Sequence, residues 1–297
     1  MPNAAALAQF LLAGTTTGCA YALVALGIVL SANVSGVINL AQGEYVAIGG
    51  LFLTSLVALK APLPACLLGV GLLGALLGVL QETLTVRPTR TSPSFIQITV
   101  TLGVAVVMRG FAYLIYGKDP IGVSGFSGDD VFVLLDAILP LQSLWIWGGT
   151  ALLLILVFGV LGFTPIGRAI RACAINMRAA RLMGIDPHRM SVAVFAVSGA
   201  LSALGGALIA PLTLASWDAG LTIGLKGLIA AIFGGFRSPV TAVFAGLAIG
   251  IAESLVAGFG SSDARDVVVY AGLLIALLVM GGVLAKGRDR LRLGSSY

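Results

Sequence analysis

Few side chains in this chain could do chemistry, and most of them interrupt long apolar stretches. Asn39 and Gln42 are three apart, so on a helix they share a face, with Gly36 and Gly43 beside them. Such amides can line a path for a polar solute or bond one helix to another, and the sequence leaves both uses open. Glu44 falls on a different face, where it could pair with a loop arginine. Gln97, Thr101 and Arg109 fall within a stripe about 120° wide at 100° per residue, which should face a bundle interior. Arg109 could attract a carboxylate or extend its guanidinium to a membrane surface. Lys226 and Glu253 occupy two further apolar stretches. Lys226 lies near the outer start of its stretch and can reach water, and either residue could pair with a charge on another span.

Other chemistries lack their residues. There is no GxxxxGK[ST] phosphate loop, HExxH or GxSxG pattern. His188 is the only histidine and has no Cys or carboxylate cluster around it, a poor basis for a metal site. Cys19, Cys66 and Cys173 are far apart and read as small apolar residues. No metal or cofactor is expected on this chain.

The elements that position these residues follow from composition. Hydrophobic residues make up 59% and charged residues 10% of 297, with a mean hydropathy of +1.07. Soluble domains carry about 25% charged residues, so apolar side chains must face lipid as well as a core. A membrane span needs about 20 mostly apolar residues, and candidates run near 7–31, 38–59, 63–86, 94–116, 143–163, 190–211, 222–236, 239–259 and 267–285. The fold class is therefore an all-α, polytopic transmembrane helical bundle of eight to nine segments in a single domain over 1–297. Gly234–Pro239 leaves 222–236 and 239–259 as two spans or a re-entrant pair. The first stretch carries no Lys or Arg before it, so it reads as a retained span rather than a signal peptide. Small residues four apart, such as Gly74/Gly78, Gly246/Gly250 and Ser198/Ser202/Gly206/Ala210, fit close helix packing in lipid.

Charge sets orientation. The net +5 is concentrated in short loops, a topology signal rather than a nucleic-acid footprint. Arg87 and Arg90, the stretch 164–190, and Lys286 to Arg292 are expected on the cytoplasmic side, placing the C-terminal tail there. The acidic loop near 117–142 is expected outside. The stretch 164–190 carries Arg168, Arg171, Arg178, Arg181 and Arg189, and should form one or two short amphipathic helices ended by Asp186-Pro187. Its Ala179-Ala180-x-x-x-Gly184 core makes a helix-turn that another protein can approach closely, beyond what a topology signal needs.

Three stretches together resemble the permease subunits of bacterial high-affinity branched-chain amino acid transporters. They are Gly36-Val37-Ile38-Asn39-Leu40-Ala41-Gln42-Gly43-Glu44; Gly167-Arg168-Ala169 through Ala179-Ala180 to Gly184-Ile185; and Ala230 to Gly235, running on to Gly250-Ile251-Ala252-Glu253 and the Asp266 to Met280 span. The resemblance covers almost the whole chain in order. It implies an ATP-binding-cassette importer of the bacterial inner membrane, working by alternating access. Its partners would be a second homologous permease subunit, two cytoplasmic ATP-binding subunits holding the ATP and Mg, and a periplasmic solute-binding protein. The 164–190 loop, through Arg168, Arg171, Arg178, Ala179, Ala180, Arg181 and Gly184, would then couple to an ATPase. The chain departs from the pattern at Gln42, often His in the family, at Arg178, where importers commonly have an acidic residue, and at Met280-Gly281-Gly282-Val283, where a proline motif is usual. Relatives also carry urea and short amides. An ion-coupled carrier using Glu44 and Glu253 and a membrane-embedded enzyme stand as alternatives.

Overall fold

The computed structural model describes residues 4–236, 238–260, 267 and 270–272. The 267–285 segment lies almost wholly outside them. Eleven helices are present among the described residues: α1 (Ala4–Ser35), α2 (Gln42–Ala58), α3 (Leu63–Gln81), α4 (Arg87–Thr89), α5 (Ser94–Tyr116), α6 (Gln142–Phe163), α7 (Pro165–Ile175), α8 (Met177–Leu182), α9 (Pro187–Thr213), α10 (Ala219–Phe233) and α11 (Pro239–Phe259). A π-turn over Glu82–Val86 joins α3 to α4, making one apolar rod from Leu63 to Thr89. Six rods are long and apolar enough to cross a bilayer: α1, α3–α4, α5, α6, α9 and α11. Segments 38–59 and 222–236 become the shorter helices α2 and α10, so the count of eight to nine full spans is not established.

The helix boundaries have local causes. Thr164, Asn176, Asp186 and Ser238 accept backbone N–H groups at the starts of α7, α8, α9 and α11, which satisfies donors a helix start leaves free. Pro211 removes a donor in the last turn of α9, and Leu214 at φ 63° ends it.

α1 and α9 form the centre. Of their most apolar windows 83% and 67% are buried, against 17–28% for the other four rods. Glycines let the neighbours close on this pair. Gly246 and Gly250 of α11 lie on Ala22 and Gly18 of α1, and Gly74 and Gly78 of α3 lie on Gly199 and Phe195 of α9. Gly206 of α9 meets Val46 of α2. A Cβ at any of these would overlap backbone atoms of the facing helix. The small-residue spacing of the sequence therefore marks real helix seams.

The two ends of the bundle differ. Beside the Gln142 end of α6 lie β1 (Phe126–Asp129) and a hairpin of β2 (Val131–Leu134) with β3 (Ala137–Pro140), paired from Val131↔Pro140 to Leu134↔Ala137. Gln9 clamps the start of α1 to this hairpin, donating to Ile138 O at 2.7 Å and accepting from Ile138 N at 2.8 Å. At the Phe163 end of α6 lie α7 and α8 with their arginines.

Candidate functional site

Two stretches of backbone leave helical form inside the bundle. After α1, residues 36–41 turn back, beginning at Gly36 with φ 76°, and α2 starts at Gln42. Gln42 lies against Gly27, eight residues before the end of α1, which is about 12 Å inward at 1.5 Å per residue. After α9, residues 214–218 run back along α2, with Ala215 beside Gly50, before α10 begins at Ala219. Gly43 packs on Gly220 and Gly224. Two short helices running in opposite directions thus meet N-terminus to N-terminus, well inside the protein. Only Gly fits this crossing, since a Cβ at Gly43 would overlap the Gly220 carbonyl oxygen.

Backbone out of helical form at membrane depth needs partners, and the side chains singled out in the sequence supply them. Asn39 is fully buried; its Oδ1 accepts from Ala41 N at 3.0 Å and Gln81 Nε2 at 2.7 Å. Its Nδ2 donates to Gln42 Oε1 and Gln81 Oε1, each at 3.1 Å. Gln42 Nε2 donates to Ser198 O at 2.9 Å and Ser202 Oγ at 2.8 Å, while its Oε1 also accepts from Ser198 Oγ at 3.0 Å. The Tyr45 hydroxyl donates to Gln81 Oε1. Thr101 of α5 holds the extended stretch, accepting from Leu40 N and donating to Ile38 O, both at 3.4 Å. Gln97 lies elsewhere. Its amide donates to the carbonyls of Thr89, Arg90 and Ser92 at 3.1–3.2 Å and ties the α4–α5 turn.

The meeting point of α2 and α10 borders a cavity of about 100 Å³ lined by Asn39, Gln42, Glu44, Arg109, Gly220 and Gly224. Water occupies about 30 Å³ per molecule, so the cavity has room for about three. Leu102, Val106, Leu221 and Leu225 also line it, and all four are exposed, so it opens on the α5/α10 face. Glu44 is 2% exposed and is bound by Arg109 through Oε1, while Oε2 packs on Gly220. An acid here stands in the first turn of α2 and beside the first turn of α10, where helix dipoles favour negative charge. Arg109 therefore points inward to Glu44 rather than outward to the membrane surface, because a buried carboxylate is within its reach.

Glu253 is 4% and Lys226 1% exposed; their Oε1 and Nζ are 2.7 Å apart, and the Tyr21 hydroxyl donates to Glu253 Oε2 at 2.8 Å. Of the two uses the sequence left to Lys226, water or a charge on another span, the structure shows the second. Gly227 on Val24 draws α10 against α1 and α11, and a partner carboxylate waits there. This triad lies in the core, apart from the residues lining the cavity.

The loop 164–190 folds as two helices. α7 buries Ile170 and Cys173 against the Ser35 end of α1, the Phe163 end of α6 and the Pro187 end of α9, and exposes Arg168 and Arg171. α8 buries Ala180 and exposes Arg178, Ala179, Arg181 and Leu182. Gly184, at φ 80°, ends it and is exposed. Leu182 at 89% and Met183 at 82% exposed give this end an apolar tip, with exposed Arg178 and Arg181 on the same short helix, the make-up of a protein contact. Burial and the Asp186 carboxylate push the Cys173 thiol up from its usual range, against a smaller pull from Arg181. Among the described residues no group of three His, Cys, Asp or Glu could hold a metal.

Sequence reasoning missed Gln81, Tyr45, Ser198 and Ser202 as members of the amide network. Gln81-Glu82 was the available signal, two polar residues in succession closing an apolar run.

Comparison with known proteins adds identity to this geometry. A family model described as branched-chain amino acid transport system, permease component, matches residues 10–278. The high-affinity branched-chain amino acid permease LivH of Escherichia coli K12 is 30% identical over 241 residues, 76% of this chain and 78% of LivH. BraD of Pseudomonas aeruginosa, a permease of the same kind, is 26% identical over 80% of this chain and 82% of its own. The ribose import permease RbsC of Haemophilus influenzae is 31% identical over 72% of this chain and 65% of its own. The chain belongs to the family of permease components of branched-chain amino acid transport systems.

Proposed function

We propose that this chain is one of two permease subunits of an ATP-binding-cassette importer in the bacterial inner membrane, and that it carries branched-chain or related amino acids by alternating access. The match over 10–278 carries this reading. The α7–α8 end faces the cytoplasm with the C-terminal tail and docks on one of two ATPase subunits, which hold the ATP and Mg; this chain carries no catalytic group of its own. Support comes from the exposed apolar tip of α8 with Arg178 and Arg181 on the same helix, and from positive charge marking the cytoplasmic side. The second permease subunit covers the α5/α10 face, completing a path past the Glu44–Arg109 cavity, and a periplasmic binding protein delivers solute to the hairpin end. Glu44 and Glu253 each already hold a cation, which weighs against their use as ion-coupling sites.

The test is uptake into proteoliposomes of the complete complex, supplied with ATP inside and binding protein outside. Radiolabelled L-leucine should enter and ribose should not. Arg181→Glu and Gly184→Val should lower uptake per ATP hydrolysed while leaving membrane insertion intact. Equal coupling in both variants would refute the docking role of α8; ribose uptake without leucine uptake would refute the solute.

A further inference from the structure

A second polar cluster lies between the α7–α8 loop and the amide network, outside the cavity. Glu82 is fully buried, directly after Gln81, at the first position of the π-turn. Its Oε1 accepts from Arg90 at 2.5 Å and lies 3.5 Å from His188 Nδ1. His188 is the second residue of α9, and its backbone N–H is held by Asp186, the residue that closes the loop. Val86 of the same π-turn packs with Val37 and Phe195. Gln97 fastens the backbone of Arg90. One short stretch of α3–α4 therefore touches the end of the 164–190 loop on one side and the broken start of α2 on the other.

Glu82 Oε2, Arg90 Nε, His188 Nδ1 and Ser191 Oγ, one turn beyond His188, are buried without a hydrogen-bond partner among the described residues. Buried polar groups are normally bonded, and leaving one unmade is costly. A small slide of α9 along α3 would change which of these groups pair. Glycine contacts with backbone line part of this α3–α9 seam, at Gly74, Gly78 and Gly199, so there the two backbones meet without a side chain between them. A π-turn is a break in regular helix bonding and is often found at functional positions.

We infer that Glu82, with Arg90 and His188, is the joint that passes movement of the α7–α8 loop to the start of α2 through Gln81. Glu82 and His188 are positioning residues in this role and touch no solute. The inference rests on the proposed ATP-driven function. When the partner ATPases close, α8 and the Asp186 turn move, His188 moves with them, and Glu82 repositions Gln81 against Asn39 and Tyr45.

The test uses the complete complex with Cys19, Cys66 and Cys173 replaced by alanine. Environment-sensitive labels are placed singly at Arg178→Cys on α8 and at Leu59→Cys, the exposed C-terminal end of α2. In the unaltered background both labels should respond to vanadate-trapped ATP. In Glu82→Gln and in His188→Gln the Arg178 label should still respond, while the Leu59 response falls at least about fivefold, the lower bound of typical coupling between sites. His188→Lys, which keeps a nitrogen donor beside Glu82, should retain the Leu59 response. An undiminished Leu59 response in both glutamine variants would overturn the inference. So would loss of both responses together with lost assembly in both variants, which would mark the cluster as purely structural. If neither label responds in the unaltered complex, the ATP-driven reading itself fails, and the joint with it.

Discussion

Replacing Gln42 with leucine separates a clamp from a pathway lining. Gln42 makes four hydrogen bonds, three of them to Ser198 and Ser202 of α9 and one to Asn39. Bonds between membrane helices average about 0.6 kcal/mol, so the three to α9 contribute roughly 2 kcal/mol. Asn39 Nδ2 keeps Gln81, and Ser198 Oγ keeps Gly27 O at 3.0 Å. Ser202 Oγ is left without the bond to Gln42, an unmade buried bond costing about 1–3 kcal/mol. Leucine has nearly the same volume, so the cavity contribution is small. With the Ser202 bond counted once, the expected loss is about 2–4 kcal/mol of unfolding free energy, read by circular dichroism as SDS is titrated into detergent-solubilised protein. Uptake per folded molecule should change little. A loss under about 0.5 kcal/mol, with uptake abolished, would show that Gln42 serves solute rather than structure.

Two further outcomes follow from the packing and the loop. Gly78→Ala should destabilise by about 1–3 kcal/mol through overpacking, because its Cβ would overlap the Phe195 carbonyl, whereas Gly103→Ala, with nothing within 4 Å, should be neutral or slightly stabilising; the same SDS titration compares them, and equal tolerance would contradict the seam. Cys173 should react with a maleimide more slowly than a cysteine placed at exposed Ala174, since the thiolate is the reactive form and burial with Asp186 raises the thiol. Raising the pH should speed Cys173 later than the reference, and matched pH profiles would refute the shift.

Much of the fold is written locally. Ser94–Tyr116 could be read to the residue because Pro93 and Gly117 bound a long, mostly apolar run. Asp186-Pro187 likewise marks the start of α9. The segment 38–59 could not be read this way. Val37, Ile38, Leu40 and Ala41 are as apolar as a helix interior, and only the tertiary partners Thr101 and Gln81 make extended backbone tolerable there. At the site, Asn39, Gln42, Thr101 and Arg109 stood out as polar groups in apolar runs, and all four are engaged at the α2 start or its cavity. Their partners were hidden for a physical reason. Ser198 and Ser202 fit a small-residue packing stripe equally well, and a side chain such as Lys226 gives no local sign of whether it is hydrated or paired with Glu253.

The meeting of α2 and α10 has a consequence for biosynthesis. α2 emerges from the ribosome early, yet the glycines that cap its buried end, Gly220 and Gly224, are synthesised late. Until then its first turn, with Glu44, faces the membrane without the helix that covers it. Arg109 is the earlier arrival and shields the carboxylate in the interval. A chain made only that far is therefore expected to hold the Glu44–Arg109 pair without the α10 cover that the finished protein gives it. Chains truncated between Tyr116 and Ala219 should display that uncovered pair to membrane quality-control proteases.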